Sequence, residues 1–146
     1  MDRRNFIKSA CLTCAGSIGA AWLLQGCSSH KYLTNVVVKD NKLVVKRSEF
    51  ILLKKEKTIE QKFLIIKPES LSFPIALYKI SNNEYKACYL QCTHQGCELS
   101  PHETMMVCPC HGAEFNPKGE VTNGPAETNL KSFLTSIDNE NIYIQL

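Results

Sequence analysis

The sequence has little net charge and lacks internal repeats, low-complexity tracts and any catalytic arrangement of residues. Its 146 residues carry a formal charge of +3, and residues 1–26 contribute three basic and one acidic side chain, so residues 27–146 carry +1. A chain so close to neutral has no electrostatic basis for binding nucleic acid. The length remaining after residue 26 fits one small domain. Without a nucleophilic or substrate-binding constellation, we do not expect the chain to be an enzyme by itself.

Cysteine and histidine are concentrated in two short segments, Cys92-Thr93-His94-Gln95-Gly96-Cys97 and Cys108-Pro109-Cys110-His111-Gly112. Each segment holds a histidine within three residues of a cysteine, together with one further cysteine. Two thiolates and two imidazoles are the ligands of a two-iron, two-sulfur cluster in which histidines replace cysteines on one iron. Such a cluster carries a single electron at a higher potential than an all-thiolate cluster. Glycines at positions 96 and 112 suit a backbone that turns tightly around it.

A structural zinc site is the alternative interpretation of the same residues, because closely spaced cysteine and histidine also bind zinc. Zinc usually takes four ligands, and that number leaves two of the six residues without a role. A disulfide scaffold without metal does not explain the histidines.

Both segments resemble the cluster-binding boxes of the Rieske iron–sulfur proteins, especially the disulfide-containing kind found in cytochrome bc complexes. The resemblance covers roughly Ala87 to Ala126. It implies one [2Fe-2S] cluster whose ligands are Cys92 and Cys108 on one iron and His94 and His111 on the other. It also implies a disulfide between Cys97 and Cys110 that ties the two cluster loops together.

The resemblance also bears on the reduction potential of the cluster and on the loop that covers it. High-potential Rieske proteins usually have a serine directly after His-Gly and a tyrosine two residues later, where this chain has Ala113 and Phe115. Hydrogen bonds to sulfur stabilise the reduced cluster, so their loss predicts a potential in the lower half of the roughly −150 to +300 mV Rieske range. Gly124-Pro125 resembles the proline-containing loop that covers the cluster in this family, although Asn-Gly-Pro also forms an ordinary turn.

Strand signals dominate the rest of the chain, which predicts an all-β fold. Short apolar runs separated by polar breaks favour an antiparallel β-sandwich or barrel, with hairpin turns at Asp40-Asn41 and at 138–140. In the Rieske architecture implied by the resemblance, residues 31–87 and 127–146 form the base. Residues 88–126 form an inserted cluster-binding subdomain. Cys88 is then an uncommitted thiol, predicted to be a buried strand residue.

Residues 1–26 resemble a twin-arginine export signal that ends in a lipoprotein box. Arg3-Arg4 and the following Phe-Ile-Lys stand in the expected order, and Leu24-Gln25-Gly26 precedes Cys27. Cleavage there makes Cys27 the lipidated N-terminus of a Rieske domain spanning 27–146, and two acyl chains give stable anchoring. The alternative is an uncleaved transmembrane helix, since Ser9 to Ser29 are 21 residues without charge. Either reading predicts a domain tethered at the outer face of a bacterial cytoplasmic membrane.

The expected function is one-electron transfer within an exported oxidoreductase complex. The first hypothesis is the iron–sulfur subunit of a quinol-oxidising, cytochrome bc-like respiratory complex, with cytochrome b- or c-type partners. The second is the electron-relay small subunit of another exported oxidoreductase, similar to arsenite oxidase. A ferredoxin of a ring-hydroxylating oxygenase fits poorly, because those proteins are cytoplasmic and generally lack the paired cysteines.

Overall fold

Short β-strands account for nearly all regular structure in the part of the chain that the computed structural model describes, residues 32–34, 36–54 and 57–146. The strands are β1 (Tyr32–Leu33), β2 (Val37–Lys39), β3 (Lys42–Lys46), β4 (Ile51–Lys54), β5 (Lys57–Glu60), β6 (Phe63–Ile66), β7 (Ile75–Lys79), β8 (Tyr85–Tyr89), β9 (Ser100–Pro101), β10 (Met106–Val107), β11 (Glu114–Phe115), β12 (Val121–Asn123), β13 (Ser132–Phe133), β14 (Thr135–Ile137) and β15 (Asn141–Gln145). A 3-10 turn, Arg47–Phe50, precedes β4. The predicted all-β class is confirmed.

A five-stranded central sheet, in the order β1-β6-β7-β8-β13, forms the middle layer. All its pairings are antiparallel except that of β1 with β6, which is parallel. Both faces are buried because successive side chains point to opposite sides of a strand. One face packs on the base sheet through residues such as Leu64, Ile66, Ile75 and Leu77. The other face packs on the cluster-loop region through Ile65, Ala76, Tyr78 and Cys88.

The base sheet has the order β14-β15-β3-β2. Its first hairpin turns at Asp40 and Asn41, whose φ angles of 51° and 59° are the left-handed pair that a two-residue hairpin loop requires. Alternate residues of β3 and β15, among them Leu43, Val45 and Ile142, are buried against the central sheet. The hairpin predicted at Asp40-Asn41 is therefore present.

A third sheet, in the order β12-β11-β10-β9, carries the second cysteine–histidine segment between β10 and β11. Its strands are only two or three residues long, and Met106 and Phe115 are fully buried. The sheet lies within the range predicted for the cluster-binding subdomain. The exact limits of base and subdomain stay a prediction.

The remaining pair, β4 and β5, is a separate two-stranded hairpin located at one end of the central sheet. It leads into β6 at Phe63, and Glu60 forms an ion pair with Lys79 at the end of β7. The first cysteine–histidine segment instead follows β8 beyond Tyr89, which pairs with Ile75. Since β6 and β8 run in the same direction, the hairpin before β6 and the first cysteine–histidine segment after β8 lie at opposite ends of the central sheet.

The predicted export signal and the lipidation site at Cys27 lie outside the described residues. Within those residues, no helix has the length and apolarity needed to cross a bilayer.

Candidate metal centre

The two cysteine–histidine loops share one backbone pattern. In the first loop the Cys92 N–H donates to the Cys97 carbonyl, and the Gly96 N–H donates to the Cys92 carbonyl, each at 2.8 Å. In the second the Cys108 N–H donates to the Ala113 carbonyl at 2.8 Å and the Gly112 N–H to the Cys108 carbonyl at 2.9 Å. The two loops are therefore local equivalents, each beginning at a cysteine and closing five residues later.

A left-handed glycine makes each closure possible. Gly96 has φ +76° and Gly112 has φ +75°, a region that L side chains adopt only at a cost. Both glycines stand four residues after the first cysteine of their loop. This repeated Cys-x-x-x-Gly spacing was visible in the sequence and is the signal from which the equivalence of the loops could have been predicted.

The first cysteines of the two loops, Cys92 and Cys108, are free thiols, each 2% exposed. They lie close enough to interact directly. Burial raises the pKa of the Cys92 thiol, and the neighbouring Cys108 thiol raises it further. The backbone N–H groups of His94 and Gln95 donate to the Cys92 sulfur and act in the opposite direction. Two convergent thiols in an enclosed position, with amide donors aimed at one of them, suit a bound cationic centre.

The two predicted histidine ligands lie side by side at the surface. The ring centroids of His94 and His111 are 4.9 Å apart, with the rings at 89° to each other, and both residues are exposed. The site is therefore polarised, with thiols on the protein side and imidazoles on the solvent side.

A disulfide joins Cys97 to Cys110 and connects the two loops, with Cα atoms 6.6 Å apart. This confirms the predicted pairing. The sulfur of Cys108 lies within 4.8 Å of both disulfide sulfurs. Because the disulfide sulfurs are oxidised, this trio is not itself a thiolate metal site.

The two positions predicted to tune the potential, Ala113 and Phe115, are fully buried in the apolar cluster that also contains Cys92 and Cys108. Neither side chain carries a donor that could reach a sulfur atom.

Gly124 and Pro125 are exposed and are joined by a cis peptide bond. The Thr93 hydroxyl donates to the Thr128 carbonyl at 2.6 Å, which connects the first loop to the chain that follows Pro125. The segment predicted to cover a cluster is thus close to the first loop. Its covering role stays a prediction.

Sequence reasoning missed the turn that supports the second loop. The Asn116 side-chain oxygen accepts from the N–H groups of Lys118 and Glu120, and its amide donates to the Glu120 carboxylate at 2.7 Å. An Asn-Pro-Lys-Gly sequence is a turn signal that could have located it. The turn brings Gly119 against Cys88.

Cys88 is a fully buried residue of β8, in agreement with its predicted structural role. Burial raises the pKa of its thiol to about 11, with a small opposing effect from Lys86. A neutral, enclosed thiol of this kind is unreactive.

The residues present fit a [2Fe-2S] cluster ligated by two thiolates and two imidazoles. Two free thiols and two exposed imidazoles are available, and the remaining cysteines of the loops are bound to each other. This is the donor set of a cluster in which two histidines replace two cysteines on one iron.

Curated relatives match the chain over part of its length. The cytochrome b6-f complex iron-sulfur subunit of Prochlorococcus marinus (strain MIT 9303) is 36% identical over 55 residues, which are 36% of this chain and 31% of that protein. The putative Rieske 2Fe-2S iron-sulfur protein YhfW of Bacillus subtilis (strain 168) is 52% identical over 42 residues, 27% of this chain and 8% of that protein. The matched region thus spans less than a third of these relatives.

Solved structures share the fold. The cyanobacterial plasma membrane Rieske protein PetC3 from Synechocystis PCC 6803 superposes with a TM-score of 0.52 at 30% identity, covering 58% of this chain and 87% of that one. Naphthalene 1,2-dioxygenase with indole bound gives a TM-score of 0.53 at 19% identity, over 71% of this chain and 25% of that one. The second likeness concerns the fold alone.

The sequence model of the Rieske [2Fe-2S] domain matches residues 29–134, which is more than half of the chain. Together with the disulfide-linked loops and the thiol–imidazole donor set, this match leads to one conclusion: the chain belongs to the family of Rieske [2Fe-2S] domains and is an electron carrier with one such cluster.

Proposed function

We propose that the chain is a membrane-tethered one-electron carrier, the iron–sulfur subunit of a quinol-oxidising, cytochrome bc-like respiratory complex. The observation that carries the proposal is the polarised site, in which the exposed rings of His94 and His111 lie next to each other while Cys92 and Cys108 are enclosed. In this assignment the two thiolates would hold one iron and the two imidazoles the other. A redox partner can therefore touch a ligand directly.

When bound, the cluster supplies reversible one-electron chemistry. Cys92 and Cys108 hold it from the apolar side, where Ala113 and Phe115 keep water away from the thiolates. The disulfide between Cys97 and Cys110 fixes the separation of the two loops. The protein's part is therefore to keep the ligands in place before and after each transfer.

His94 and His111 also handle a proton. Each imidazole would bind metal through one ring nitrogen, which leaves the other available to accept a hydrogen bond from a quinol hydroxyl once it has lost its own proton. With the cluster bound, that nitrogen would take up the proton of the quinol while the cluster takes up the electron. Quinol oxidation releases both an electron and a proton, and this surface can receive both.

The relatives support a cytochrome-type partner, since a matched protein is named as a subunit of the cytochrome b6-f complex. The lack of hydroxyl groups at positions 113 and 115 favours a low midpoint potential, and a low-potential quinol such as menaquinol is the better matched donor. The Cys27 lipid anchor and export by the twin-arginine route complete the proposal, which locates the domain at the outer face of the cytoplasmic membrane.

A second function, fixed electron relay in another exported oxidoreductase similar to arsenite oxidase, is favoured by the surface beside the histidines. The exposed neighbours of His94 are Thr93 and Gln95, both polar. Polar contacts suit a protein partner at least as well as an apolar quinol pocket. The tether from Ser28 to Tyr32 is five residues long and also allows little travel.

Gentle detergent extraction from native membranes, followed by co-purification, tests the choice between these functions. Recovery of a cytochrome b supports the first function, and a molybdenum-type large subunit supports the second. Recovery of the chain only in the soluble fraction contradicts the tether.

The ligand assignment is tested separately by His94→Ala and His111→Ala, with His102→Ala outside the loops as the matched control. We expect both loop variants to lose the electron paramagnetic resonance signal of the reduced cluster and the control to keep it. Purified protein that contains zinc, and neither iron nor acid-labile sulfide, contradicts the assignment.

A further inference from the structure

The disulfide closes residues 97–110 into a ring of the polypeptide chain. Within this disulfide ring, β9 and β10 form a hairpin whose turn is closed by the His102 N–H, which donates to the Met105 carbonyl at 2.7 Å. His102 stands five residues after Cys97, and Met105 stands five residues before Cys110. The turn is therefore the part of the ring that lies furthest along the chain from the disulfide.

A side chain of the central sheet bonds to this turn. Tyr78 belongs to β7, the middle strand of that sheet, and is 1% exposed. Its hydroxyl lies 2.7 Å from the His102 carbonyl oxygen and 3.2 Å from the Met105 carbonyl oxygen. Burial raises the pKa of Tyr78 well above its usual range, so the hydroxyl keeps its proton and donates. The turn is thus bonded to the most central strand of the fold.

The two free thiols are carried by different parts of the fold. Cys92 follows β8 closely, with two residues between it and Tyr89, so its position is fixed to the central sheet. Cys108 belongs to the disulfide ring and comes directly after β10. The first half of the ring is attached where the Leu99 N–H donates to the Leu90 carbonyl at 3.1 Å. The position of Cys108 relative to Cys92 therefore depends on how the rest of the ring is attached to the central sheet.

The ring and the hydroxyl of Tyr78 serve different contacts. The aromatic ring lies in the apolar cluster that contains both free thiols, and its centroid is 5.3 Å from that of the Phe63 ring. That packing needs only the hydrocarbon part of the side chain, whereas the hydroxyl group bonds to the turn. The two contributions can therefore be separated by removing the oxygen atom alone.

We propose that Tyr78 is a positioning residue for the cluster ligands. Its hydroxyl attaches the turn of the disulfide ring to the central sheet and thereby sets the position of Cys108 relative to Cys92. The disulfide and Tyr78 hold the ring at its two ends, so the ring cannot tilt on the sheet. The two thiolates then keep one separation while an electron arrives and leaves. This role concerns the ligands alone and is the same for any redox partner.

The experiment uses the full chain with its cluster loaded and compares Tyr78→Phe with Tyr143→Phe. Each substitution removes one hydroxyl that donates a hydrogen bond, and the control hydroxyl donates to Asp138 in the last hairpin, at 2.6 Å. We expect Tyr78→Phe to release iron to excess EDTA about fivefold faster than the parent, the factor that one net hydrogen bond contributes. Its reduced cluster should also give broader electron paramagnetic resonance lines, because the thiolates no longer keep one separation. The control should match the parent in both measurements.

A second variant loosens the same turn and leaves Tyr78 in place. Glu103 and Thr104 are exposed residues of the turn, so Glu103→Gly combined with Thr104→Gly adds backbone freedom without removing buried side chains. It should broaden the resonance lines in the same way. If Tyr78→Phe retains no cluster, this glycine variant alone decides.

Two outcomes overturn the proposal. Iron release and resonance lines that are unchanged in the glycine variant and in Tyr78→Phe show that the turn does not set the ligand positions. Equal acceleration of iron release in Tyr78→Phe and Tyr143→Phe shows a general loss of stability instead. Both outcomes leave the ligand assignment intact, because the loop histidine variants test it separately.

Discussion

The side chains at positions 113 and 115 lie in the same apolar cluster as the two free thiols, and neither carries a hydroxyl group. A donor at either position could stabilise the reduced, more negative site through a hydrogen bond to sulfur. Ala113 is 0% exposed, so its side chain lies wholly inside this cluster. A hydroxyl group introduced at either position is therefore expected to change the electron affinity of the site.

We predict that Ala113→Ser and Phe115→Tyr each raise the midpoint potential. A hydrogen bond that favours the reduced state tenfold corresponds to about 59 mV for one electron, and each hydroxyl should contribute a shift of that order. Redox titration followed by the cluster's visible spectrum measures it. Phe115→Leu is the control and should leave the potential within experimental error. A parent midpoint near the top of the Rieske range, or no shift in either variant, contradicts the argument.

Two features of the structure favour glycine at position 119. Its φ is +85°, and a Cβ at this position would lie 3.0 Å from the Cys88 sulfur. We predict that Gly119→Ala destabilises the domain by about 2 kcal/mol, from backbone strain and overpacking together. Urea unfolding of the disulfide-intact protein measures the change.

A double-mutant cycle separates the two causes at Gly119. Cys88→Ala removes the atom that the new methyl group would meet, so the double variant should recover the steric part and keep the strain of the positive φ. Additive effects of the two substitutions would show that the sulfur contact has no role.

At the scale of elements, the last hairpin is held by one carboxylate. Asp138 accepts from the N–H groups of Glu140 and Asn141, at 2.8 and 2.6 Å, and from the Tyr143 hydroxyl at 2.6 Å. These donors, the Tyr143 hydroxyl foremost, lower the pKa of Asp138 from 3.8 to about 2. Because the folded pKa lies below the unfolded one, the stabilisation is complete above pH 3.8 and is lost as the pH falls towards 2.

The free energy of unfolding of the parent protein should fall between pH 4 and pH 2. We predict that it falls less in Asp138→Asn. The comparison uses unfolding free energies of parent and variant without the cluster and with the disulfide intact, so that contributions common to both cancel. Tyr143→Phe removes the largest cause of the shift and should give an intermediate slope. Parallel pH profiles for all three proteins would be the contrary result.

The longer strands were predictable from the sequence, and the shorter ones were not. Runs such as Phe63–Ile66 and Ile75–Lys79 are continuous apolar stretches bounded by turn residues, and they form the central strands. Strands β9 to β12 have two or three residues, too few for any periodicity, and their pairing depends on contacts distant in sequence. Strands β13 and β14 are separated only by Leu134, where the chain passes from the central sheet to the base sheet.

The sequence was enough to predict which residues form the metal centre. It was not enough to predict how they are arranged in space. The two cysteine–histidine segments and their disulfide followed from spacing and resemblance. That the thiols are enclosed and the imidazoles exposed follows from how the third sheet packs on the central sheet through Ala76 and Cys88, among others. No local pattern in the loops contains that information.

At the scale of the whole molecule, charge is divided between the cluster-loop region and the rest of the domain. Residues 88–126 carry a net charge of −3, whereas residues 31–87 and 127–146 together carry thirteen basic and nine acidic side chains. The exposed Glu98 and Glu127 adjoin the first loop and the proposed covering loop. A redox partner with a basic surface is attracted to this region, and dissolved salt screens that attraction.

We predict that electron transfer to a lysine-rich c-type cytochrome slows about tenfold between low and physiological ionic strength. Glu98→Gln combined with Glu127→Gln should flatten this dependence. Glu84→Gln, in the turn between β7 and β8 at the opposite end of the central sheet, should leave it unchanged. Stopped-flow mixing at several salt concentrations gives the rates, and a salt-independent rate for the parent protein contradicts the prediction.

The side-by-side imidazoles have a kinetic consequence for the whole carrier. Because its thiols are enclosed and its two histidines are exposed, the proposed centre offers one contact surface to redox partners. Donor and acceptor then occupy that surface in turn. The carrier then works by alternation, and each partner is a competitive inhibitor of the other. We therefore expect turnover to be fastest when neither partner is in excess.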